Sequence, residues 1–133
     1  RWTLLKRLHQ CNQTSHLNNL NNLNNFNNYG DIDKINTPVL IMHNDKDGHV
    51  PWYQGIEFFV SLRRLSKPSW LLNYNGGRHW PLKMQNRKDF NIRMQQFFDH
   101  YLKGDAKPMW MVRGVPAIEK GINQGYELLD NNL

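Results

Sequence analysis

Between Thr37 and Trp52 the chain passes from a short, unbroken apolar run into a polar loop and then into the start of a helix. It reads as the end of a buried strand that carries chemistry. Val39 to Met42 has the length and continuity of a strand buried on both faces, the kind found in a parallel sheet covered by helices. It ends abruptly at Asn44, Asp45, Lys46, Asp47 and Gly48. Pro51 then suits the first turn of a helix, where its missing N–H costs nothing. In open α/β sheets ligands and catalytic groups sit just past the carboxyl ends of strands, so the loop after Met42 is the first place to look for chemistry.

The residues downstream repeat the alternation. Pro51 to Leu65 reads as a helix with Trp52, Ile56, Phe59, Val60 and Leu62 on a broad apolar stripe and Glu57, Arg63 and Arg64 toward water. Ser66, Lys67 and Pro68 stop it. Ser69 to Tyr74 follows as a second short strand, and it too ends in turn-forming residues, Asn75, Gly76, Gly77, Arg78 and His79. Strand, helix, strand predicts a right-handed parallel crossover, which places both polar loops on one edge of the sheet. Asp47 and His79 are therefore expected to meet. A second helix is predicted over about 87 to 103, capped by Asn86, with Asp89 in its first turn and Phe90, Met94, Phe97, Phe98 and Tyr101 on its apolar face; Gly104 ends it. Beyond it Trp110, Met111 and Val112 are expected to pack back. The expected fold class is α/β.

With 133 residues there is room for one modest domain, or for part of a larger one. Core-forming residues are nearly absent before residue 35. Leu17 to Tyr29 is instead a strict triplet, an apolar residue followed by two Asn. A period of three fits neither the 3.6 of a helix nor the 2 of a strand, and Asn favours neither element. Residues 1–30 are accordingly expected to be low-complexity, and disordered or mistranslated. Residues 31–129 are expected to form the folded part and 130–133 a frayed tail. The start has no initiator Met and too short an apolar region for a signal peptide, which suggests a beginning that has been cut off.

Composition excludes several functions. Cys11 is the single cysteine, so neither an intrachain disulfide nor a cysteine metal site can form. No run of about 18 apolar residues exists to make a membrane span. Lys and Arg outnumber Asp and Glu 17 to 11, for a net charge of +6 and a pI near 9.6, which is compatible with nucleic acid. The positive charges are scattered, however, without the dense block or aromatic-lined groove that would make nucleic-acid binding specific. No nucleic-acid partner is expected.

A carboxylate after one strand and a histidine after the next, in that chain order, is what an α/β-hydrolase arranges after its nucleophilic serine. An imidazole can take the proton of a nucleophile and return it to a leaving group, while a carboxylate on its other nitrogen fixes the tautomer and stabilises the imidazolium. Two competing explanations apply to these residues. An arbitrary Asp or His is usually a solvated surface group, a reading that the position past two consecutive strands weakens. His43, Asp45, Asp47 and His49 alternate and on a straight strand would share a face as metal ligands, but Gly48 interrupts that strand and Gln54 stands where an EF-hand loop needs a carboxylate. No metal or cofactor is expected. Trp52, Trp70, Trp80 and Trp110 are assigned to the core before any substrate subsite.

At these residues the chain resembles the prolyl oligopeptidase family of serine peptidases, in particular the catalytic domain of its dipeptidyl peptidase IV-like α/β-hydrolases. His43 to Pro51 is similar to the family's acidic loop, and Gly76, Gly77, Arg78 and His79 to its histidine loop. Phe98 to Gly104 resembles the end of its last helix, and Pro108 to Ala117 its C-terminal end. The resemblance covers roughly residues 32 to 128 and implies the C-terminal portion of an α/β-hydrolase fold, preceded by an irregular Asn-rich segment. It implies Asp47 and His79 as catalytic residues, since Asp47 stands three residues before Val50 as in the family's pattern; Asp45 is expected to be solvated. It further implies a peptide substrate in a complete parent, with the N-terminal part of the hydrolase domain and a β-propeller as missing partners.

The chain departs from the family in having no Gly-x-Ser-x-Gly motif, since its serines are Ser15, Ser61, Ser66 and Ser69. Residues 1–29 match nothing expected of the family. The function read from the sequence is thus a fragment of a serine-type peptidase, inactive alone. The alternative is a non-catalytic interaction module with a basic surface.

Overall fold

A computed structural model of the chain describes residues 32–129. The expectations for residues 1–30 and 130–133 concern segments that lie outside the described residues. Residues 32–35 belong to a separate unit, within which 32–34 form one turn of 3₁₀ helix. The rest of the description concerns the unit that begins at Asn36.

Two strands, β1 (Val39–Met42) and β2 (Ser69–Leu72), pair in parallel with Val39 opposite Ser69 and Met42 opposite Leu72. β1 coincides with the apolar run Val39 to Met42 read from the sequence, whereas β2 stops short of the span 69–74. The ladder is prolonged at each end by single bonds, Val39 N–H to Pro68 C=O and His43 N–H to Leu72 C=O, both at 3.0 Å. Between the strands runs helix α1 (Trp52–Arg64), with Pro51 as the residue before its first turn. Its end is set by Ser66, which takes a left-handed φ of 54°. A non-glycine residue there cannot continue a right-handed helix.

Only part of the apolar stripe expected on α1 is covered. Gly55 and Leu62 are its buried residues, Leu62 fully so, whereas Ile56 and Val60 are each 37% exposed. The helix packs against β2, and a helix covered from one side leaves the flanks of a broad apolar stripe in water.

Helix α2 (Met84–Phe98) begins earlier than expected. Lys83, extended at ψ 130°, precedes it, and no side chain caps it, so Asn86 lies inside the first turn instead of capping it. The helix continues as one wider π-helical stretch, Asp99–Lys103, and stops at Gly104, whose φ of 80° is the left-handed conformation that favours glycine. A short helix α3 (Met109–Arg113) follows. The remaining tail folds back on it: Met109 and Trp110 N–H groups donate to Glu127 and Gly125 C=O at 2.8 and 2.9 Å.

The core gathers where α2, α3 and β2 meet. Phe97, Trp110 and Met111 are buried, and Leu40, Trp70, Leu72, Phe98, Tyr101, Val115 and Tyr126 pack around them. Trp70 and Phe97 meet edge to face at 5.8 Å. The two indole N–H groups are satisfied, Trp70 donating to Met111 C=O and Trp110 to the Gln96 side-chain oxygen, each at 2.8 Å. That lets large aromatics with a polar atom be buried. Trp110 and Met111 thus pack back as expected, whereas Val112 is 53% exposed.

Phe97 is the ring that these contacts share. Phe97→Ala is expected to destabilise the chain by about 3–5 kcal/mol, seen as a lower urea midpoint with an unchanged slope.

Candidate active site

The loop after β1 and the loop after β2 lie against each other because parallel strands of similar length end on the same edge. Asn44, the second residue past β1 and 1% exposed, joins them. Its amide nitrogen donates to Arg78 C=O at 2.7 Å and its amide oxygen accepts from Tyr74 N–H at 2.9 Å. Lys46 N–H donates to Gly77 C=O at 3.1 Å, and Gly76 N–H donates to Asp45 Oδ1 at 2.7 Å. Asp45, expected to be solvated, is half-buried and also one of these cross-loop ties.

Within that frame the histidine loop makes a tight turn, Gly77 N–H donating to Tyr74 C=O at 2.7 Å. The fit is close. A β-carbon on Gly77 would come within 2.6 Å of Tyr74 O and 3.0 Å of Asn44, so no larger residue fits without moving the loop.

The structure brings Asp47 and His79 together. Asp47 Oδ1 accepts from His49 and Val50 N–H at 2.8 and 3.0 Å, and its Oδ2 lies 2.8 Å from His79 Nδ1. The Asp47 side chain is 4% exposed. Burial pushes its carboxyl pKa up, but the two backbone N–H groups and His79 outweigh that effect and hold it below its ordinary 3.8. Asp47 is therefore ionised at neutral pH and accepts hydrogen bonds only, so the proton between the two residues sits on His79 Nδ1. Nε2 is left with a lone pair for the neutral ring, and the His79 side chain remains 33% exposed.

His43 closes the inner side. Its Nε2 lies 3.2 Å from Val50 C=O and 3.4 Å from Asp47 Oδ2, while its ring meets Trp52 edge to face at 5.3 Å. Gly55 makes room for it, since a β-carbon there would lie 2.3 Å from His43 Nδ1. The outer side is open. A cleft of about 360 Å³ is lined by Lys46, His49, Arg78, His79, Trp80 and Leu82. Trp80, assigned to the core from the sequence, is 67% exposed and packs edge to face on His79 at 5.2 Å.

The alternating residues His43, Asp45, Asp47 and His49 do not share a face. Asp45 bonds Gly76, and His49 packs edge to face on His79 at 5.1 Å. Among the described residues no three His, Cys, Asp or Glu side chains converge as metal ligands. Of the serines within them, Ser61 and Ser66 lie along and just past α1, and buried Ser69 opens β2 at the end away from His79. No helix among the described residues is long and apolar enough to cross a membrane.

Sequence reasoning missed Asn44 and Asp89. Asn44 carried one available signal, an amide with both donor and acceptor immediately past a buried strand. Asp89, expected to act on the α2 dipole, instead accepts from Tyr74, Arg93 and Tyr126.

Residues 3–105 match the model of the prolyl oligopeptidase family, which corrects the expectation that residues 1–29 match nothing of that family: the match runs through the Asn-rich tract. A probable dipeptidyl-peptidase 5 of Aspergillus terreus is 31% identical over 68 residues, which are 51% of this chain and 9% of that protein. Dipeptidyl-peptidase 5 of Porphyromonas endodontalis is 32% identical over 72 residues, 54% of this chain and 10% of that protein. Dipeptidyl-peptidase 5 of Aspergillus oryzae is 35% identical over 63 residues, 47% of this chain and 8% of that protein. The chain thus spans about a tenth of the length of the curated relatives it matches. No solved structure matches it.

The lowered Asp47 pKa has a consequence for stability. Below the ordinary 3.8 the unfolded chain takes up a proton that folded Asp47 still refuses. This contribution is therefore present above that pH and lost as pH falls through the folded value. Urea midpoints followed from pH 6 to pH 2 are expected to fall below about pH 4, and to fall less steeply in Asp47→Asn.

Proposed function

Because the chain belongs to the prolyl oligopeptidase family, we propose that it carries the acid–base part of a serine peptidase, with His79 as general base and acid and Asp47 as its orienting carboxylate. The observation that supports this best is the bond between His79 Nδ1 and a buried, ionised Asp47. On this reading the nucleophilic serine, the donors of an oxyanion hole and a substrate-selecting propeller are supplied by polypeptide other than the described residues. The relatives are named dipeptidyl-peptidases, which makes peptides the substrate class to test first.

The chemistry follows from the two ring nitrogens. With Nδ1–H committed to Asp47, Nε2 accepts the serine proton as oxygen attacks the scissile carbonyl. The ring becomes an imidazolium that Asp47 stabilises by charge and by a shortened hydrogen bond. His79 then gives the proton to the leaving amine, and the cycle repeats with water in place of serine. Asp47 remains ionised throughout.

Among the described residues His79 has no serine beside it to activate, and a base without a nucleophile does not start the reaction. The chain alone is expected neither to hydrolyse peptides nor to label with a fluorophosphonate, because losing the nucleophile of such a triad costs on the order of 10⁶ in turnover. Labelling of any serine of this chain, abolished by His79→Ala, would show that the nucleophile lies within it. In a full-length peptidase containing this chain, Asp47→Asn is expected to lower kcat about 10⁴-fold by holding His79 in the wrong tautomer. A loss below tenfold would remove Asp47 from the triad.

A further inference from the structure

Asp89 on α2 lies outside both loops, yet three stretches of chain converge on its carboxylate. Its Oδ2 accepts from Tyr74 OH at 2.6 Å and from Arg93 Nε at 2.8 Å, and its Oδ1 accepts from Tyr126 OH. The Asp89 and Arg93 side chains are 16% and 5% exposed. Arg93 also donates to Gln124 C=O at 3.1 Å and lies over the rings of Trp110 and Tyr126, 5.2 and 5.3 Å from their centres.

Burial pushes the Asp89 carboxyl up, but the bonds from Arg93, Tyr126 and Tyr74 outweigh it and keep the group ionised. Burial and the bond to Asp89 raise both tyrosines, so they remain protonated donors. A buried ion pair of this kind is weak evidence for stability, since apolar replacements often do as well. Its connections suggest another use.

Tyr74 is the residue on which the histidine loop turns. Its N–H bonds Asn44 Oδ1 and its C=O accepts from Gly77 N–H, so its backbone joins the acidic loop to the turn that presents His79. The ring of Tyr74 is held at the far end by Asp89, and Asp89 by Arg93 and Tyr126. A second brace runs from Lys120 Nζ to Asn75 Oδ1 at 2.9 Å. We propose that Asp89, Arg93, Tyr74 and Tyr126 form a positioning node that keeps His79 aligned with Asp47, through which the segment 120–126 acts on the candidate active site. This rests on His79 being the proton carrier. None of the four residues touches reacting atoms, so their effect passes through the alignment of the imidazole.

The test reads that alignment in the full chain without requiring activity. Nitrogen-15 resonances of the His79 ring report its tautomer, and the unsubstituted chain is expected to hold the Nδ1–H form. Tyr74→Phe and Tyr126→Phe each remove one hydroxyl and keep the ring. Each is expected to lower the ratio of Nδ1–H to Nε2–H forms about fivefold, the equivalent of one intramolecular hydrogen bond. Leu62→Ala, compared at an equal fraction folded, serves as the control for general loss of stability and is expected to leave the ratio unchanged. Unchanged tautomer ratios in both tyrosine variants would overturn the proposal, as would an equal shift in Leu62→Ala. If the unsubstituted chain shows no preference for Nδ1–H, the Asp47–His79 pairing itself fails and the node's role fails with it.

Discussion

A carboxylate almost closed off from water is the constraint around which the two loops are built. Asp47, with 4% of its side chain exposed, must have its charge met by hydrogen bonds or else take up a proton. Two donors come from its own loop, His49 and Val50 N–H. The third comes from 32 residues away in His79, and it arrives only if the second loop is held against the first. Asn44 provides that hold, and its burial makes it costly to replace. If its amide lost either partner, a polar group would be stranded in the interior.

The fold was legible in the sequence to the extent that periodicity carries it. Val39–Met42 and Ser69–Leu72 could be seen as strands because they are continuous apolar runs closed by turn residues, and their parallel pairing follows from the helix between them. The ends of the elements were less legible. Asn86 looks like a cap, but the backbone before α2 is extended through Lys83, so the helix has already begun when Asn86 is reached. The stripe on α1 was visible, though not how much of it would be covered, because coverage depends on neighbours that no local pattern encodes.

The candidate site divides in the same way. Asp47 and His79 could be paired on paper because each follows a strand and the two strands lie side by side. Asn44 and Asp89 could not. Their partners lie 30 or more residues away for Asn44, and for Asp89 at Tyr74 and Tyr126, on both sides of it in the chain. Such links are specified by how three elements pack, and an Asn or Asp looks the same in sequence whether it is solvated or tied down at both ends.

The pairing of Val39 with Ser69 has a further consequence. It sets an offset of 30 residues between the strands (69 − 39), while Asp47 and His79 stand 32 apart (79 − 47). The ladder therefore acts as a ruler for the loops. A strand advances about 3.3 Å per residue, so sliding β2 along β1 by two residues would preserve the faces of the sheet yet move the histidine by about 6.6 Å. A displacement of that size is more than twice the 2.8 Å that separates the two side chains, so such a slip could leave the core packed while the acid–base pair is out of reach. Four paired residues on each strand thereby set a tolerance for the site, and any change that shortens or frays that pairing is expected to affect the imidazole before it affects the core.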